Sequence, residues 1–274
     1  MDGLDSCAGL NMTCRADVDC AVTCSGQESR VCERLSIDAS TASSLAVVVD
    51  MDGGWRKQAT GGKSKVRHGD EGARHARVRC PRSSDSACAV TCTGKKTTST
   101  HCSFVESGSY QSCYGQPNLL CADIQIDAGD VSSAVSLTCS GVGDQLCQDA
   151  RVNVTGAEVA GTTLAVDCHP TAHTSTYAGC RNGYGSSDYR ECADACRRVR
   201  LVPPSPALNC SLANCRGTNA CRDMDYRCEG SGATACTGTG ACFGADLLSK
   251  SLACTGTDAC RALRYGGGEA VTCS

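Results

Sequence analysis

Large rings are nearly missing from this chain. Of 274 residues one is Trp, two are Phe and seven are Tyr, an aromatic share of 4%. A wide core filled by aromatic side chains is therefore excluded, and Val, Ile, Leu, Ala and Cys must pack in narrow layers. Long apolar runs are missing as well. The longest, "LAVVV" at 45–49, falls far short of the ~20 residues of a membrane helix, so no membrane span is expected. The opening "MDGLDSCAGLNMTC" has neither a basic start nor an apolar stretch, and an export signal is expected upstream of it. Tight thiol pairs are absent too: no C-x-x-C or C-x-C occurs, and the closest pairs, Cys20/Cys24, Cys88/Cys92 and Cys192/Cys196, are C-x-x-x-C. Zinc knuckles use closer spacing to place two thiolates on one ion, so neither a metal nor another cofactor is expected. No nucleophile elbow, phosphate loop or dinucleotide fingerprint stands in a suitable context.

What the chain has is cysteine: 26 of 274 residues, an even number that allows up to 13 bridges. This density is that of a disulfide scaffold, rare where thiols are kept reduced, and it places the protein outside the cell, secreted or on the cell surface. Bridges are what a thin core needs.

The thiols recur in a pattern. C-x-G followed by a short interval and another Cys appears at Cys24 to Cys32, Cys92 to Cys102, Cys139 to Cys147, Cys215 to Cys221, Cys228 to Cys236, Cys236 to Cys242 and Cys254 to Cys260. The glycines are Gly26, Gly94, Gly141, Gly217, Gly230, Gly238 and Gly256, all in one register. Before each unit lies an alternating stretch, such as "CAVTCSG" at 20–26, "CAVTCTG" at 88–94 and "EAVTCS" at 269–274. Alternate residues of a strand share a face, so Cys20, Val22 and Cys24 point one way, as do Cys88, Val90 and Cys92. A second alternating piece follows the next Cys, pairing Ile124 with Ile126 and Val152 with Val154. Intervals of 18 residues from Cys236 to Cys254 and 19 from Cys254 to Cys273 are too short for a propeller blade and fit one coil of a β-solenoid.

The predicted fold is all-β: a single-stranded parallel β-helix (solenoid) with disulfide-rich coils, roughly ten to twelve of them in a rod about 50 Å long. Cys236 is expected under Cys254 and Cys242 under Cys260, with Gly238 and Gly256 turning the chain between them. Residues 1–49 read as N-terminal coils, 50–82 as a basic flexible insertion, 83–168 as further coils, 169–214 as an irregular Cys- and Pro-containing joint, and 215–274 as C-terminal coils. The insertion carries a net +7 between residues 55 and 82 in a chain whose total is −3. The last letters, "AVTCS", stop inside the motif, which reads as a piece of a longer array.

"AVTCTG", "ACTGTGAC" and "ACTGTDAC" resemble the disulfide-laddered repeats of the small hyperactive antifreeze proteins of beetles, whose coils carry T-C-T and a second Cys. That family presents a flat double row of Thr beside its Cys. The flanking pairs here are Thr91/Thr93, Thr138/Ser140, Asp167/His169, Ala235/Thr237, Ala253/Thr255 and Thr272/Ser274. The longer coils look more like Cys-rich extracellular repeats of surface proteins of protists and algae. The resemblance implies a Cys-stapled solenoid and, as one function, ice binding.

The function expected is a non-catalytic extracellular structural, adhesive or matrix-binding repeat module. The alternative is ice binding; the third reading is a β-helix polysaccharide lyase or hydrolase, for which Asp123, Asp127, Asp130, Asp149 and Arg151 would gather from neighbouring coils. No catalytic residue is assigned. The structural disulfide candidates are Cys20, Cys24, Cys32, Cys88, Cys92, Cys102, Cys139, Cys147, Cys215, Cys221, Cys228, Cys236, Cys242, Cys254, Cys260 and Cys273. Asn11, Asn153 and Asn209 open N-x-S/T sequons and are glycan acceptors in an exported chain. His169 and His173 are four apart but separated by Pro170, and "DMDG" at 50–53 has Gly61 where a calcium loop needs Glu, so neither is taken as a metal site. Expected partners are other extracellular matrix or surface proteins, and anionic polysaccharide through residues 56–82; nucleic acid is not expected.

Overall fold

A computed structural model describes residues 7–26, 30–52, 72–83, 85–95, 119–128, 134–141, 146–154, 163–170, 195–202, 209–217, 220–227, 233–266 and 270–274. These residues form eighteen strands and no helix, in two nine-stranded sheets whose pairs are all parallel. One sheet stacks the short strands β1 (Asn11–Thr13), β3 (Ser36–Asp38), β5 (Arg77–Arg79), β7 (Gln125–Asp127), β9 (Arg151–Asn153), β11 (Arg200–Val202), β13 (Asp225–Arg227), β15 (Asp246–Leu248) and β17 (Arg264–Tyr265). The other stacks the longer strands β2 (Asp19–Gly26), β4 (Ser44–Asp52), β6 (Ala87–Lys95), β8 (Ala134–Gly141), β10 (Thr163–Pro170), β12 (Asn209–Arg216), β14 (Ala233–Thr237), β16 (Ser251–Thr255) and β18 (Ala270–Cys273). Each coil is a turn, a short strand and a long strand, so the described residues make nine coils, not ten to twelve, and a rod of roughly 40 Å at the usual strand spacing.

Alternation puts residue files from both sheets into the interior. Ile37, Val78, Ile126, Val152, Leu201, Tyr226 and Leu247 form the file of the short strands, each in register with the next and each buried. Val47, Val90, Leu137 and Val166 do the same in the long strands. A third interior file is the cysteine file: Cys24, Val49, Cys92, Cys139, Cys168, Cys215, Cys236, Cys254 and Cys273 lie above one another in register. From this file bridges run forward to the turn of the next coil: Cys24–Cys32, Cys92–Cys121, Cys139–Cys147, Cys168–Cys196, Cys215–Cys221, Cys236–Cys242 and Cys254–Cys260.

Those turns have a common backbone. In each, the Cys and the residue two further on have positive φ: Cys32 and Arg34, Cys121 and Asp123, Cys147 and Asp149, Cys221 and Asp223 are examples. The Cys N–H donates to the preceding coil and the later N–H to the following one, as in Cys147 N to Leu120 O at 2.8 Å and Asp149 N to Arg197 O at 2.9 Å. A left-handed non-Gly residue costs about 1–2 kcal/mol. Here the inter-coil hydrogen bonds and the bridge offset that cost at every level.

Several sequence expectations are corrected by this geometry. The Cys after each C-x-G opens a turn and not a strand, so β7 and β9 begin four residues beyond Cys121 and Cys147. The spacings left the pairing open; Cys92 is bridged to Cys121, where the next turn of the ladder comes. Cys236 is bridged to Cys242. Cys273 is unbridged and exposed. Cys102, Cys228 and Gly230 themselves lie outside the described residues. The basic segment is not an insertion throughout: Asp50–Asp52 complete β4, and Gly72–Arg82 return to the coil, with Ala73, Ala76, Val78 and Cys80 buried. Residues 53–71 are outside the description. Within 169–214 the described residues belong to the two sheets, as the end of β10, β11 and most of β12, with a bulge at which Val166 pairs with Leu212 but Asp167 pairs with Asn214; residues 171–194 and 203–208 are outside the description.

A second corner, between short and long strand, went unread in the sequence. Cys14–Cys20 and Cys80–Cys88 bridge it. In the coil between them and the coil after them the same positions hold Ala39 with Leu45 and Ala128 with Val135, all buried. A disulfide and a small-plus-branched apolar pair are thus interchangeable fillings of one space. The main corner follows the same rule at the coil bearing the basic segment, where Val49 and Ala73 replace the two cysteines.

Candidate functional site

The two sheets present different outer faces. On the long-strand face the residues flanking the cysteine file are small. One side reads Thr23, Val48, Thr91, Thr138, Asp167; the other reads Ser25, Asp50, Thr93, Ser140, His169. Beyond the bulge the files continue as Ala235, Ala253, Thr272 and Thr237, Thr255, Ser274. A third file of Ala21, Ala46, Ala89, Ser136 and Ala165 lies beside them. Hydroxyls touch along the stack, Thr93 Oγ1 to Ser140 Oγ at 3.3 Å and Thr255 Oγ1 to Ser274 Oγ at 3.2 Å. Val48/Asp50 and Asp167/His169, whose His169 Nδ1 lies 2.9 Å from Asp167 Oδ1, interrupt the hydroxyl rows.

The short-strand face is charged. Its first residues stack as Asn11, Ser36, Arg77, Gln125, Arg151 and Arg200, beside a file of turn residues Arg34, His75, Asp123, Asp149 and Arg198. Between the two files lies an open depression of about 590 Å³. It combines the guanidinium groups of Arg34, Arg77 and Arg151 and the imidazole of His75 with the carboxylates Asp123 and Asp149. The stacking distance lets acidic and basic side chains meet across coils: His75 Nδ1 is 3.5 Å from Asp123 Oδ2, Arg198 Nη2 donates to Asp149 Oδ2 at 2.6 Å, and Arg79 Nη1 donates to Asp38 Oδ2 at 3.0 Å. Asp38 titrates below the usual carboxylate range, chiefly because the Ser40 side chain and backbone N–H bond to it, with Arg79 adding its charge.

Of the residues offered for sugar chemistry, Asp123, Asp149 and Arg151 do meet in this depression. Asp127 does not; it stands at the far end of β7, in register with Arg79 and Asn153. Asp130 lies outside the described residues. Sequence reasoning did not single out Arg34, although the C-x-R/D spacing at Cys32, Cys121 and Cys147 was a usable signal, and it named His75 and Arg77 only as part of the basic run 56–82. Asp123 lies beside the His75 imidazole and Asp149 accepts from Arg198, and the depression is open to solvent.

The sequon residues fall on strands. Asn11 is exposed on β1, Asn153 is half-buried on β9, and Asn209 begins β12. The basic run divides: Arg77 and Arg79 are exposed on β5, whereas Arg56, Lys57, Lys63, Lys65 and Arg67 are outside the described residues, as is His173. The Sγ atoms of Cys92, Cys121 and Cys147 lie within 4.8 Å of one another, a separation that would suit a metal. All three are consumed in bridges of adjacent rungs, so their closeness measures the stacking of disulfides. Among the described residues no helix is long and apolar enough to cross a membrane. Bridges in this number belong to an oxidising environment.

No protein-family model matches the chain, and no curated protein or solved structure matches it either.

Proposed function

We propose that the chain is a non-catalytic extracellular repeat module with a structural, adhesive or matrix-binding role. The observation that carries this reading is the bridge from the cysteine file into the following turn, repeated along the rod. Such a rod gains rigidity from covalent bonds and leaves its two faces free for contact. Outside the cell the partners are matrix or surface proteins. Anionic polysaccharide is the ligand of the basic run, whose many weak contacts weaken with salt. The test is reduction. Protein made in an oxidising compartment is melted with and without a thiol reductant, following its β-sheet circular dichroism. Loss of the sheet on reduction supports the scaffold; an unchanged spectrum and melting temperature would end it.

A second reading is ice binding, favoured by the hydroxyl rows beside the cysteine file at Thr91/Thr93 and Thr138/Ser140. Thermal hysteresis that persists without residues 53–71 and disappears on reduction would select it over the scaffold. Its absence at millimolar protein would leave the scaffold alone.

A further inference from the structure

The first position of the short strands carries a run of arginines that the fold turns toward solvent. Ser36, Arg77, Gln125, Arg151, Arg200 and Asp225 stand above one another in register, one per coil. In the four middle strands the next residue, Val78, Ile126, Val152 or Leu201, is buried, so alternation points Arg77, Gln125, Arg151 and Arg200 outward. All four are exposed. At the usual strand spacing these four levels span roughly 14 Å along the rod axis. Arg77, Gln125 and Arg151 line the open depression, and Arg200 extends the row one coil beyond it.

These arginines differ from their neighbours in what they hold. Arg79 donates to Asp38, Arg198 donates to Asp149, and Arg34 lies 3.7 Å from Glu33 Oε1. Among the described residues, no side-chain hydrogen bond or ion pair is made by Arg77, Arg151 or Arg200. Arg151 and Arg200 are direct cross-strand neighbours, and like charges so placed destabilise a sheet. An anion seated between them removes that cost. Every cationic residue of the short strands is Arg, namely Arg77, Arg79, Arg151, Arg200, Arg227 and Arg264, and none is Lys. The planar guanidinium fork takes two oxygens of a carboxylate or sulfate at once, which the ammonium of Lys does not. No Trp, Tyr or Phe lines the depression, so it offers no ring on which a nucleic-acid base would stack.

We infer that this row seats a linear acidic polysaccharide laid along the rod axis, across the strands. Arg77, Arg151 and Arg200 each hold an acid group, and the Gln125 amide donates to the sugar chain between them. This seat deepens the polysaccharide-binding reading, on which it rests, and moves the ligand from the basic run as a whole to a row of which Arg77 is the only member within residues 56–82. An extended acidic sugar chain repeats its acid groups at a fixed pitch, as the coils repeat their arginines. Several exposed contacts, each weak alone, are then made together. The acidic side chains of the depression do not oppose this, because Asp149 accepts from Arg198 and Asp123 lies beside His75. Asp225, in register above Arg200, sets the upper limit of the seat.

The test is fluorescence polarisation with the whole oxidised chain and three labelled probes. Oligogalacturonate carries only carboxylates, oligomeric dextran sulfate carries only sulfate esters, and oligodeoxythymidylate represents nucleic acid. The unsubstituted chain is expected to bind one or both acidic sugars more tightly than the nucleic acid, the preferred sugar identifying the acid group. Arg151→Gln combined with Arg200→Gln should weaken that binding roughly tenfold, the product of two exposed charge contacts. Arg200→Lys, which keeps the charge and loses the fork, should weaken it less than Arg200→Gln does. Lys63→Gln combined with Lys65→Gln removes the same charge from the basic run and should change affinity less than about twofold, screened as distant exposed charges are. Unchanged circular dichroism and bridge mapping show that each variant folds, and the denaturant midpoint of Arg200→Gln without ligand should not fall, since the change relieves a like-charge pair. Binding that follows Lys63 and Lys65 but not the arginines overturns the row and leaves the basic run as the polysaccharide site. Tighter binding of oligodeoxythymidylate, or no binding of either acidic sugar, also overturns it. The second of these outcomes removes polysaccharide from the proposed function as well, while the scaffold itself is judged separately by melting under reduction.

Discussion

Gly141 sits where its coil touches the one below most closely. A Cβ there would lie 2.1 Å from the carbonyl oxygen of Gly94, and its φ is +91°. Backbone cannot yield as a flexible side-chain tip would, so Gly141→Ala is expected to destabilise by at least about 2 kcal/mol, strain and steric displacement together. Gly9→Ala provides the control, because φ there is +67° but nothing lies within 4 Å. Its cost should be the conformational part alone, about 1 kcal/mol. Denaturant midpoints of the two variants separate close approach from φ; equal losses would show that the glycine stack is not tight. Two other residues carry avoidable costs. The hydroxyls of Tyr226 and Thr234 are buried without a hydrogen-bond partner, and burial pushes the Tyr226 phenol upward in pKa. Tyr226→Phe and Thr234→Val each remove an unsatisfied polar group while keeping the shape, and each should stabilise by about 1 kcal/mol. A lower melting temperature in either variant would mean that the hydroxyl has a partner, such as buried water.

At the scale of the element, the main corner is the place to ask what a bridge contributes. Since Val49 and Ala73 already fill one such corner, Cys139→Val with Cys147→Ala should keep the fold and lose mainly the loop constraint. For an interval of 8 residues that is about 2.5 kcal/mol, and for the 29 of Cys92–Cys121 about 3.6 kcal/mol, on the chain-entropy account. Replacing the longer bridge in the same way is therefore expected to cost about 1 kcal/mol more, read from non-reducing guanidinium titrations. Equal losses would assign the stability of the rungs to packing. The corner also marks how much could be read from letters. Strands such as "CAVTCTG" were legible because alternation and the C-x-G spacing both reported the same pleat. Stacking of Cys236 under Cys254 was legible from the 18-residue interval. The turn was not, since its positive φ falls on Cys, Arg, Asp and Ala, residues that give no local signal and are held left-handed by neighbours in other coils. The coil edge at residue 72 was hidden for a related reason: Val49 and Ala73 do the work of two cysteines, and a reading keyed to sulfur passes over them. The charged depression was legible only in part, because Arg34, His75 and Asp123 come from three separate coils and meet through stacking alone.

For the whole molecule, the parallel stack means that each coil is held only by its two neighbours, so stability is a chain of nearest-neighbour couplings. Those couplings are uneven. β8 pairs along its length, Ala134–Gly141, with β6 on one side and with β10 on the other. β12 and β14 pair only over Cys215–Arg216 with Cys236–Thr237, just beyond the bulge that offsets β12 from β10. At the far end β18 is exposed throughout and paired on one side. Opening of such an array starts where a coil has the fewest bonds to break. Native-state hydrogen exchange at the backbone amides should therefore be slowest in β6, β8 and β10, faster in β14 and β16, and fastest in β18. Protection should fall abruptly between β10 and β14, not decline smoothly toward the end. Reducing the protein should erase the whole profile, because the rungs hold the turns on which the inter-coil bonds depend. A flat profile across all nine coils would instead show one cooperative unit, with the bulge coupling its two sides as firmly as any regular junction.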